Sequence, residues 1–69
     1  MSENNFNMSL RKFLKTVGVT SQTEIEKAVR KAQADGTLPK GPLTAKAVIT
    51  LEPLGLTHEV DGQIFTQDA

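Results

Sequence analysis

The sequence predicts a small α+β domain, in which a helix-turn-helix pair packs on a small antiparallel sheet in the order α-α-β-β, with a possible short third strand. Up to Asp35 the apolar residues recur at spacings of three and four, which is the period of an α-helix. After a segment that contains Pro39, Gly41 and Pro42, apolar and polar residues alternate, which is the period of a strand. We therefore expect residues 1–69 to form a single domain, because the chain is too short for two.

The first predicted helix spans residues 5–17. Asn4 or Asn5 is suited to cap its first turn, since a short polar side chain can accept a free backbone N–H. Gly18 follows the last apolar position and predicts the helix end, because glycine adopts a left-handed conformation at little cost. One stripe of this helix carries its large apolar residues: Phe6, Leu10, Phe13, Leu14 and Val17.

The second predicted helix spans residues 21–35. Ser21 and Glu24 have the spacing of a capping box, and Asp35-Gly36 provides a second glycine stop. Its apolar positions are Ile25, Ala28, Val29 and Ala32. Because only three or four residues link the two helices, we expect their apolar stripes to share one core.

Residues 36–44 are predicted to form a loop, followed by strands at 45–52 and 55–60 that are joined by a turn at Pro53–Gly55. Asp61-Gly62 is a typical two-residue hairpin turn and predicts a short strand at 63–66. A tight turn there would set His58 opposite Phe65 and Ile64 on the polar side, whereas a longer turn or a bulge would reverse the faces. The helix pair is expected to cover one sheet face, because a hairpin alone is marginal in water.

Composition excludes several classes of function. The 69 residues carry eight basic and eight acidic groups, so no overall positive charge favours nucleic acid or a membrane surface. There is no cysteine, and the single histidine cannot form a histidine pair for zinc. We therefore expect no bound metal and no cofactor. The longest apolar stretch is too short to span a bilayer, so we also expect a cytoplasmic protein with no membrane partner.

A basic strip on the first helix is the main candidate interaction surface. Met8, Arg11, Lys12 and Lys15 recur at helical spacing opposite the apolar stripe. Lys27 and Arg30 of the second helix extend the candidate surface. The alternative is a solvated lysine face whose aliphatic stems shelter one methionine.

His58, Glu59 and Asp61 are the only grouping that suggests acid–base chemistry. His58 falls in an apolar alternation, which favours packing over titration, and Asp61 suits a turn. No nucleophile elbow, phosphate loop or dinucleotide fingerprint is present. The sequence therefore predicts no catalytic residue and a protein that is not an enzyme.

Two helices followed by a hairpin are also the outline of a winged-helix nucleic-acid-binding domain. Glu24 and Glu26 argue against this interpretation, because they lie at the end of the second helix that would have to approach the phosphates. Protein–protein association or self-association is therefore the leading prediction, and winged-helix-like nucleic-acid binding is the alternative.

Three segments of the chain resemble a family of short bacterial proteins catalogued as a domain of unknown function. They are Asn7 to Gln22, Glu24 to Val29, and Leu54 to His58 together with Asp61-Gly62. The resemblance covers nearly the whole chain and implies a free-standing bacterial protein of about this length. It implies no activity, cofactor or site residue.

Overall fold

The computed structural model describes residues 3–66, which fall into two compact units that divide between Leu38 and Pro39. The first unit contains one helix, α1 (Glu3–Asp35). The second contains β1 (Leu43–Leu51), a 3₁₀ turn (Glu52–Leu54) and β2 (Leu56–Ile64). The predicted α+β class is confirmed, whereas the helix pair and the third strand are wrong. That residues 1–69 form one domain stays a prediction.

The predicted helices at 5–17 and 21–35 are one continuous helix that already includes Glu3. Gly18 does not end it: the left-handed glycines of the described residues are Gly36, Gly41 and Gly55. A glycine inside a helix costs only about 1 kcal/mol relative to alanine. Ending two helices there would instead leave several backbone N–H and C=O groups without helical partners.

The predicted capping box at Ser21 is also wrong, because Ser21 lies inside α1. The threonine hydroxyls on either side of Ser21 bond backward to helix carbonyls. Thr20 Oγ1 donates to the Thr16 carbonyl at 2.7 Å, and Thr23 Oγ1 donates to the Val19 carbonyl at 3.2 Å. Such bonds satisfy a hydroxyl within a helix, so a polar segment does not have to interrupt it.

The predicted helix end at Asp35-Gly36 is confirmed. Gly36 has a φ of 73°, and its N–H bonds to the Gln33 carbonyl at 3.2 Å. The Thr37 N–H reaches the Ala32 carbonyl at 2.9 Å. These two bonds form a Schellman motif, which satisfies carbonyls of the last helical turn.

The predicted turn at Pro53–Gly55 is confirmed as the connection of the β-hairpin. Gly55 is left-handed, with φ 63° and ψ 25°, and its N–H bonds to the Glu52 carbonyl at 3.0 Å. The strands are longer than predicted: β1 already begins at Leu43, inside the predicted loop at 36–44, and ends at Leu51 rather than at residue 52. β2 begins at Leu56, one residue after the predicted start.

Asp61-Gly62 does not form a turn, because β2 runs through both residues to Ile64. Asp61 pairs with Lys46 and Gly62 pairs with Ala45, so every residue of β1 has a partner on β2. A turn at this point would leave the first part of β1 unpaired. The predicted strand at 63–66 is therefore the end of β2, followed by two residues without regular structure.

The register of the hairpin places its apolar and polar residues on opposite faces. Leu43 pairs with Ile64, and Leu51 pairs with Leu56. Directly paired residues share a face, and side chains alternate along each strand. Ile64 therefore lies on the apolar face, and the conflict that a tight turn would have caused does not arise.

The continuity of α1 predicts opposite effects for two glycine-to-alanine substitutions. An added Cβ at Gly18 meets nothing within 4 Å and requires no left-handed backbone, so Gly18→Ala should raise the free energy of unfolding by about 1 kcal/mol. At the left-handed Gly36, alanine should lower it by about 1 kcal/mol. Urea unfolding followed by circular dichroism measures both. A loss of stability in Gly18→Ala would show that a helix does end there.

Candidate interaction surfaces

The apolar stripe of α1 is a surface rather than part of a core. We define it as the face that carries Phe6, Leu10, Phe13, Leu14 and Val17 and continues toward Ala32. Phe6 is 51% exposed and Phe13 is 52% exposed. None of the residues 3–66 is buried. The predicted shared core between two helices is therefore wrong, because the two ends of one continuous helix cannot pack on each other.

Side-chain size differs between the two halves of this stripe. The first half carries the aromatic and leucine side chains. The second half carries Ile25, Ala28 and Ala32, with Val29 beside them. Val29 and Ala32 are half-buried, whereas Ala28 is exposed. The side chains of the stripe are thus large near the beginning of α1 and smaller near its end.

The predicted basic strip lies on the side of α1 away from the apolar stripe. Met8 is 69% exposed, and Arg11, Lys12 and Lys15 are exposed as well. Because α1 is continuous, Arg30 falls in line with Lys12, about five turns or about 27 Å further along the helix. The structure therefore places all six predicted surface residues on one helix.

Acidic side chains interrupt this strip in the second half of α1. Glu26 falls in line with Met8 and accepts a hydrogen bond from Gln22 Nε2 at 3.5 Å. Lys27 Nζ pairs with Glu24 Oε2, also at 3.5 Å. The basic character is thus concentrated in the first half of the helix.

The hairpin supplies a second apolar surface, on one face of its two strands. Leu51, Leu56 and Val60 on this face are 47%, 44% and 48% exposed. We call it the hairpin apolar face, and it consists of Leu43, Ala45, Ala47, Ile49, Leu51, Leu56, His58, Val60, Gly62 and Ile64. A two-stranded sheet has only these ten residues to form one side of a core, so the face needs a covering layer.

The other face of the hairpin is polar and carries its own contacts. Lys46 Nζ lies 3.2 Å from Glu59 Oε1, diagonally across the strands. Gln63 Nε2 donates to Thr44 Oγ1 at 3.2 Å. Val48, which is 53% exposed, is the one apolar residue that β1 and β2 place on this face.

His58 is separated from Glu59 and Asp61, the two carboxylates that the sequence groups with it for acid–base chemistry. It is directly paired with Ile49 on the apolar face, whereas Glu59 and Asp61 lie on the polar face. His58 is not paired with Phe65, which follows the end of β2. Within residues 3–66, no three His, Cys, Asp or Glu side chains are grouped so that they could hold a metal ion.

Residues 3–66 define the class of this protein as small α+β, with one amphipathic helix and one amphipathic β-hairpin. No helix in the described part of the chain is long and apolar enough to cross a membrane. The model of a family of unknown function (DUF6494) matches residues 1–67, and the chain belongs to this family. This confirms the resemblance found in the sequence. No curated protein and no solved structure matches the chain.

The assignment of faces predicts different effects at two neighbouring positions of β1. Ile49→Asn places an amide on the apolar face and should lower the free energy of unfolding by about 2 kcal/mol. Val48→Asn changes the polar face and should cost about 0.5 kcal/mol, which reflects strand propensity alone. Urea unfolding of both variants measures the difference, and equal losses would contradict the assigned register.

Proposed function

We propose that this protein acts by binding another protein chain through the apolar stripe of α1 and the hairpin apolar face. The observation that carries the proposal is that both faces keep large side chains about half exposed, Phe13 among them. Contiguous exposed apolar surface of this kind is typical of protein interaction sites.

The energetics of the two units support the same proposal. A helix in water draws most of its stability from packing of its apolar face rather than from its own hydrogen bonds. A two-stranded hairpin is marginal for the same reason. A partner that covers these faces would stabilise the folded chain, since anything that binds only the folded state shifts the folding equilibrium toward it.

The proposal also holds that the protein is not an enzyme and uses no cofactor. The separation of His58 from Glu59 and Asp61 on opposite hairpin faces supports this part. General acid–base catalysis requires the groups to reach the same reacting atoms, and side chains on opposite faces of a strand cannot do so.

Nucleic-acid binding is the weaker alternative, because a winged-helix domain requires a turn between two helices. α1 contains no such turn, so no separate recognition helix is presented to a groove. Glu26 and the pairing of Lys27 with Glu24 further reduce the positive potential of the second half of α1.

A cytoplasmic location and a bacterial source stay predictions of the sequence.

Two substitutions on opposite faces of α1 test the proposed function. Phe13→Ser removes a large apolar side chain from the stripe, whereas Met8→Ser makes a matched change on the opposite side of the helix. We expect Phe13→Ser to weaken association by about tenfold or more, because a buried phenylalanine contributes about 2 kcal/mol. Met8→Ser should leave association close to that of the unchanged protein.

Association is measured in two ways. Sedimentation velocity over a range of concentrations reports self-association of the pure protein. For a different partner, a protein captured on the immobilised chain is purified and its affinity for each variant is titrated. If the two variants bind equally well, the apolar stripe is not the binding surface and the proposal is wrong.

A further inference from the structure

We draw no further inference here: the strongest candidate, the apolar stripe of α1 with Phe6 and Phe13 about half exposed, carries nothing beyond the proposed function, because nothing in residues 3–66 shows what covers it.

Discussion

The backbone hydrogen bonding of α1 passes through Gly18 without a break, and the exposure of the apolar stripe depends on this continuity. If the chain turned at Gly18, the large side chains of the first half of the stripe would cover the smaller side chains of the second half within one chain. In the continuous helix both halves face outward along the same side, with Phe6 and Phe13 about half exposed. A single backbone feature thus leaves exposed the apolar residues that would otherwise have formed a small core.

In the hairpin, as in α1, an element that continues through a predicted turn creates an exposed apolar face. Pairing of all nine residues of β1 with β2 carries β2 through Asp61-Gly62 and brings Ile64 onto the apolar face. One face then gathers the apolar residues and the other holds the Lys46–Glu59 ion pair. Because a two-stranded sheet forms only one layer, alternation creates this apolar face but cannot cover it.

Internal ion pairs do not compensate for the missing core. The pairs Lys27–Glu24, Lys31–Asp35 and Lys46–Glu59 all join side chains that are more than half exposed. Such pairs contribute about 0–1 kcal/mol each, less than the burial of one large apolar side chain. The stability of this member of a family of unknown function is therefore tied to what covers its apolar faces, and that links its folding to its proposed binding role.

The periodicity of the sequence and its glycine and proline positions determined the α+β class, the helix end at Gly36 and the turn at Pro53–Gly55. They also determined the spacing of the apolar residues. The periodicity also identified Met8, Arg11, Lys12 and Lys15 as one face of a helix. Only the tertiary structure decided that α1 continues through Gly18, that β2 continues through Asp61-Gly62 and that the apolar stripe stays exposed. A glycine or turn signal is worth about 1 kcal/mol, so hydrogen-bonded neighbours outside the local window can outweigh it. Exposure depends on which surfaces meet, and residue spacing alone does not specify that.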